Sequence, residues 1–479
     1  MQSGDSRRRY ESPLVSRYAT PDMIALWSPE KKFRTWRRLW VALARAEMEL
    51  GLPVTAEQVA ELASHVEDVN FEEAEAQERR TRHDVMAHVH AYGAQCPKAR
   101  GIIHLGATSA YVGDNADLIL LREGLEIILA QVVNVADTLA GFALKHKDMP
   151  TLGFTHFQPA QPTTVGKRAC LWLQDLMMDL ADLRWRIDGL AFLGVKGTTG
   201  TQASFLELFA GDANKVEQLE SRVTELMGFS RRVAVSGQTY PRKIDAQVLS
   251  ALSGIAQSAH KFANDLRLLC HLQEIEEPFG KEQVGSSAMA YKRNPRQAEL
   301  MTALSRFIMV TALNADLTAA EQWFERTLDD SANRRLSLPE TFLATNGMLN
   351  VYLHLASGLV VNPGVIARRL TSELPFIATE NILMSAVKAG GDRQDLHERI
   401  RRHAQEAAAR MKESGAENDL LERLRGDPAF AHVDFADVMN PSLYVGLAPQ
   451  QAESYVENVV RPALAPYADL LGRKADVHV

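Results

Sequence analysis

Ser286, Ser287, Lys292 and Asn294 crowd into one stretch, Glu282-Gln-Val-Gly-Ser-Ser-Ala-Met-Ala-Tyr-Lys-Arg-Asn-Pro295. Gly285 admits backbone angles closed to other residues, the adjacent hydroxyls compete for main-chain hydrogen bonds, and Pro295 restricts Asn294. An irregular loop is therefore predicted here. Helical patterns flank it on both sides, and a polar loop of this length between rigid helices commonly houses binding or catalysis. An arbitrary Gly-Ser-Ser would be only a solvated connector.

Other stretches also carry usable groups. Arg82-His83-Asp84 opens a run that continues to His88 and His90, and three close histidines invite a metal. On a helix His88 and His90 point apart and His83 lies two turns from His90, so no three converge and no metal is expected. Thr108 and Ser109 follow a glycine and read by default as turn formers. His156 sits in a polar turn, Thr155-His-Phe-Gln-Pro-Ala-Gln161. Gly197-Thr-Thr-Gly-Thr-Gln202 lacks the Lys-Ser/Thr of a phosphate loop and the dinucleotide spacing. Trp323 to Arg335 is a charged turn in which Arg326 and Arg335 offer forks suited to phosphate.

Long helices must position these groups. Leu118, Leu121, Leu125, Ile128, Val132, Val135, Leu139 and Phe142 alternate three and four apart, and Leu173 to Leu190 and Val248 to Leu269 repeat the pattern. Such stripes predict an all-α chain with a central bundle of helices about 25 to 30 residues and roughly 40 Å long. A mixed helical opening containing Trp36 and Trp40 precedes it, and near Pro363 the pattern shifts to shorter helices. The expected domains are 1–110, 111–362 and 363–479.

The chain has 479 residues and a net charge of -7. That gives no basic field for nucleic acid, and Arg7-Arg8-Arg9 reads as a solvated tail. There is no apolar leader and no run near the ~18 apolar residues of a membrane span. Cys96, Cys170 and Cys270 are widely spaced, as suits a reducing compartment. A cytoplasmic location is expected, with no membrane or nucleic-acid partner.

The serine loop resembles the Gly-Ser-Ser-x-Met-Pro-x-Lys-x-Asn-Pro signature of the fumarase/aspartase superfamily, with Ala290 replacing the proline. The remaining motifs are similar to those of adenylosuccinate lyases within it: Arg17-Tyr18, Arg82-His83-Asp84, Gly-Ala-Thr108-Ser109, the turn bearing His156, Gln238 in Ser-Gly-Gln-Thr-Tyr, Glu299, and the Arg326/Ser331/Arg335 string. The family usually has arginine after the glutamate, where this chain has Leu300.

The resemblance implies a three-domain fold whose bundle tetramerises, and elimination of fumarate from adenylosuccinate and from the succinyl-aminoimidazole-carboxamide ribotide. It implies His156 as general acid, oriented by Glu299, and the first serine, Ser286, as base; from sequence alone Ser287 stays open. Arg17, Tyr18, Arg326, Ser331 and Arg335 would hold the nucleotide phosphate. Arg82, His83, Asp84 and Gln238 would contact substrate, while Thr108, Ser109, Lys292 and Asn294 would serve its carboxylates. No cofactor is implied. Thr108 and Ser109 precede a helix that His156 follows, so no single chain should hold a whole site, and a homotetramer with shared sites is expected.

Overall fold

The computed structural model describes residues 10–280, 283–289, 291–475 and 477; the Arg7–Arg9 cluster and Ala290 lie outside the described residues. Helix α1 (Pro29–Glu49) starts where Ser28 Oγ accepts the Lys31 amide at 3.2 Å, with Pro29 in the first turn, the usual chemistry of an N-terminus. It buries Trp36, Trp40 and Leu43 in an apolar cluster shared with Tyr111, Val112 and the Phe192–Phe229 segment. Helices α2 (Phe71–Thr81) and α3 (Asp84–Gln95) follow, separated by Arg82 in the left-handed region at φ 54°.

Five long helices form the bundle: α4 (Ser109–Lys145), α5 (Val165–Gly189), α7 (Lys243–His271), α8 (Arg296–Ala320) and α9 (Asp330–Gly358), with the shorter α6 (Ala213–Leu226) outside it. In α4, Leu118, Leu121, Leu125, Ile128, Val132, Val135 and Leu139 are buried, and so are Val248, Leu252, Ile255, Ala259, Phe262, Leu266 and Leu269 of α7. The apolar seams read from sequence are thus the core. Two helices that sequence periodicity left unmarked, α8 and α9, complete it. In α9 every residue from Thr341 to Leu353 is buried, so the helix has no single apolar stripe to betray it. By length and composition α4 and α8 are apolar enough to cross a membrane, but the apolar part of α4 is mostly buried within the protein.

Two polar ends result. Tyr240 N donates to Asp114 Oδ2 at 3.0 Å and Leu193 N to Asn115 Oδ1 at 2.9 Å, so α5 finishes and α7 starts beside the beginning of α4. At the other end a hairpin, β1 (Pro150–Thr155) with β2 (Gln158–Thr164), links α4 to α5 and is held by Gly166 N on His146 O at 2.9 Å. There too β3 (Ile275–Glu276), after α7, pairs with β4 (Val360–Val361), after α9. Helix α10 (Pro363–Ile377) begins at the proline where the sequence pattern shortens and packs on the hairpin.

Candidate active site

The end where α4, α7 and α9 begin surrounds a cavity of about 890 Å³. Arg82, His83, Asp84, Ser109, Gln238, Arg326, Ser331 and Arg335 all line it. His83 caps α3, its Nδ1 accepting the Met86 amide at 3.3 Å. A neutral ring then carries its proton on Nε2, which lies 3.4 Å from Ser109 Oγ. Gln238 is fixed by its backbone, whose amide donates to Glu325 O at 2.9 Å. The approach requires Gly237, since a Cβ there would lie 2.4 Å from the same carbonyl. That contact carries Gln238 to the segment bearing Arg326.

Arg335 is 65% exposed and, among the described residues, meets only Asp84, at 3.5 Å, leaving most of its fork for a ligand. Arg326 Nη1 donates to Asp330 Oδ1 at 2.9 Å. Beneath lies a buried network that sequence reasoning did not single out. Arg242 donates through Nη1 and Nη2 to Asp114 at 2.9 and 3.1 Å and through Nε to Asp330 at 2.6 Å. Arg334 bonds Asp245 and Asp117, both at 2.7 Å. Asp114 and its partner Arg242 are 128 residues apart, and nothing local in the sequence signals the pairing. Lys32 also lines the cavity, its ammonium 5.1 Å from the centre of the Trp36 ring.

Arg17 and Tyr18 lie outside this cavity. Tyr18 packs against Gly347 on α9, sixteen residues beyond Ser331 and so roughly 24 Å along the helix. Thr108 is the residue before α4, and its hydroxyl makes no capping bond. His88, a member of the histidine run, stacks on Phe33 with ring centres 3.7 Å apart, and burial pushes its pKa down to about 4.

His156 is at the opposite end, with Phe157 forming the two-residue tip of the hairpin; φ is 52° and 57°. Both are left-handed, the geometry of a tight hairpin turn usually left to Asn and Gly. Such strain at a reactive side chain is a pointer to function. The serine loop lies at this end too, after β3. Ser286 Oγ accepts the amides of Ala288 at 3.3 Å and Met289 at 3.1 Å, and Asn294 Nδ2 donates to Gly285 O at 3.0 Å. A Cβ on Gly285 would meet Lys292 O at 2.1 Å, so only glycine lets the loop close on itself. Lys292 is exposed and makes no ion pair among the described residues. Glu299 is exposed in the first turn of α8 and does not hydrogen-bond His156 within the chain. The carboxylate that serves the start of α8 is Glu277, which accepts the amides of Gln297 at 3.1 Å and Ala298 at 2.6 Å. A side chain reaching back to a helix start from another segment leaves no spacing rule to read.

A family model described as Lyase matches residues 17–310, and one described as Adenylosuccinate lyase C-terminus matches residues 375–455. The chain is 53% identical over 467 residues to an adenylosuccinate lyase of Saccharomyces cerevisiae, covering 96% of this chain and 97% of that one. To an adenylosuccinate lyase of Schistosoma mansoni it is 46% identical, covering 99% of this chain and all of the relative. Among solved structures, a 3-carboxy-cis,cis-muconate lactonizing enzyme from Pseudomonas putida superposes with a TM-score of 0.81 at 23% identity over 95% of this chain and 100% of that one. A fumarate lyase from Mesorhizobium sp. BNC1 gives 0.79, also at 23% identity, covering 94% and 99%. These two likenesses concern the fold alone.

Proposed function

The chain belongs to the adenylosuccinate lyase family, and from that premise we propose how its residues divide the work. It is a C–N lyase acting on adenylosuccinate, releasing fumarate and AMP, and the same elimination serves the succinyl-aminoimidazole-carboxamide ribotide. Breaking a C–N bond β to a carboxylate needs a base for the Cβ proton, an acid for the leaving nitrogen, and donors for the charge gathering on the carboxylate.

His156 is the acid and Ser286 the base. Two amides aimed at Ser286 Oγ favour its alkoxide, whereas Ser287 Oγ receives none among the described residues. Lys292, exposed on the loop and without an ion pair among the described residues, meets a substrate carboxylate, and Asn294 braces the loop through Gly285. Ser109 and His83 contact the succinyl group or base, with Thr108, Arg82, Asp84 and Gln238 around them. Arg326, Ser331 and Arg335 take the phosphate, a group shared by both substrates, and Arg17 and Tyr18 join them from a second subunit. Glu299 reaches the His156 of a neighbouring chain in the same way.

The observation that carries this reading is the gathering of the phosphate set with His83, Ser109 and Gln238 around one cavity. The tetramer is supported by uncovered apolar faces. Leu171, Met178 and Trp185 recur every seventh residue on α5, 50%, 65% and 62% exposed, and Val310, Leu313 and Leu317 line α8. Stripes of this kind call for a partner helix. The scheme uses no metal or organic cofactor. Purified protein should convert adenylosuccinate at a rate indifferent to EDTA, and loss of activity on chelation would falsify the metal-free scheme. Replacing Arg326 or Arg335 with Leu should weaken AMP by about 1.5 to 3 kcal/mol and fumarate far less; equal losses would count against the phosphate assignment.

A further inference from the structure

We propose that Asp330 is a positioning residue, fixing Arg326 in the orientation that receives the substrate's phosphate. The proposal rests on the reading of the cavity given above. Arg326 lies in the irregular segment between α8 and α9, close to Phe324 at φ 41°. No helical backbone sets its direction, and a long guanidinium side chain left free would lose rotamer entropy each time it bound an anion. Asp330 supplies the missing anchor. It is the first residue of α9, wholly buried, and its Oδ1 accepts Arg326 Nη1 at 2.9 Å. One guanidinium nitrogen is so engaged, while Nε and Nη2 carry the parallel pair of N–H bonds a phosphate can take in a fork.

Asp330 is itself held. Its Oδ2 accepts Arg242 Nε at 2.6 Å, and Arg242 is clamped by both oxygens of Asp114, which also accepts the Tyr240 amide at 3.0 Å. Arg334 approaches Asp330 at 3.9 Å while bonded to Asp245 and Asp117. The anchor is therefore tied to α4, α7 and α9 together. A carboxylate needed only to neutralise Arg242 and Arg334 would not have to turn its second oxygen toward a cationic side chain of the cavity wall.

A double-mutant cycle on AMP binding separates positioning from general support. Asp330→Asn, Arg326→Leu and the double variant are titrated with AMP by calorimetry, with fumarate as control and KM and kcat for adenylosuccinate measured alongside. Asp330→Asn should weaken AMP about tenfold, the loss expected from one misdirected charge-assisted fork, and raise KM more than it lowers kcat. In the Arg326→Leu background the same substitution should cost almost nothing further. Unchanged AMP affinity in Asp330→Asn, or a loss that persists in full without Arg326, overturns the proposal. If Arg326→Leu alone leaves AMP binding intact, the assignment of the cavity to phosphate falls, and the positioning role with it. Should Asp330→Asn fail to fold, Asp330→Glu keeps the charge beside Arg242, shifts the oxygen that holds Arg326, and takes its place in the same cycle.

Discussion

Ser109 Oγ stands 3.4 Å from His83 Nε2, joining the first residue of the longest helix to the cap of a short one from a separate segment. The two partners do different work in the fold. His83 Nδ1 accepts the Met86 amide and so caps the start of α3, whereas Ser109 makes no cap for α4.

His83→Ala should therefore lower both activity and stability, the latter by about 1 kcal/mol for a lost N-cap. Ser109→Ala should lower activity with the melting temperature unchanged. Thermal unfolding read beside KM checks this, and equal melting losses in the two variants would contradict the division of roles.

A larger loss is expected from the buried network. Arg242→Met leaves Asp114 and Asp330 buried without their main cation, and breaking such a pair on one side costs roughly 3–5 kcal/mol. Denaturant unfolding measures it. A change below about 1 kcal/mol would mean that the carboxylates find other partners.

Glu47 gives the protein an unusual response to pH. Both its oxygens are buried without a hydrogen-bond partner among the described residues, and burial pushes its pKa up to about 9 from 4.5. The folded state thus holds the proton where the unfolded chain has released it. The resulting stability is full below the unfolded value and is lost as pH rises toward the folded one, roughly 3 kcal/mol of it by about pH 7. Glu47→Gln removes the titration. Its melting temperature should exceed the native one in mildly alkaline buffer, and the gap should close on acidification. A gap independent of pH would show that Glu47 ionises normally.

How much of this could be read from residues alone depended on how local the cause was. The seams of α4 and α7 are spaced every three or four residues, and apart from the half-buried Phe142 their members are buried. Motif strings located His83, Ser109, Gln238, Arg326, Ser331 and Arg335, and they converge on one cavity. The hairpin under His156 was hidden because its turn uses His and Phe at positive φ, where Asn-Gly would have announced it. The Arg242 and Arg334 pairings join residues 88 to 217 positions apart. Those distances are set by how helices cross, and a single sequence carries no periodic trace of them.

The arrangement of the two ends carries the last prediction. Helix α4 has 37 residues and is therefore roughly 55 Å long. Ser109 and its neighbour His83 are at its start, and the hairpin bearing His156 is anchored to its finish through Met149 and His146. Strand β1 has six residues, so even folded straight back along the helix it would recover only about 20 Å. His83 and His156 of one chain cannot reach one substrate. Antiparallel packing of copies through the apolar faces of α5 and α8 would bring the start of one bundle to the finish of another. His83→Ala and His156→Ala proteins should each be nearly inactive. Mixed in equal amounts under conditions that exchange subunits, they should regain about a quarter of the native sites, since each site then needs one intact residue from each of two chains. If mixed oligomers, confirmed by mass, stay inactive, the site is not assembled from opposite ends of different chains.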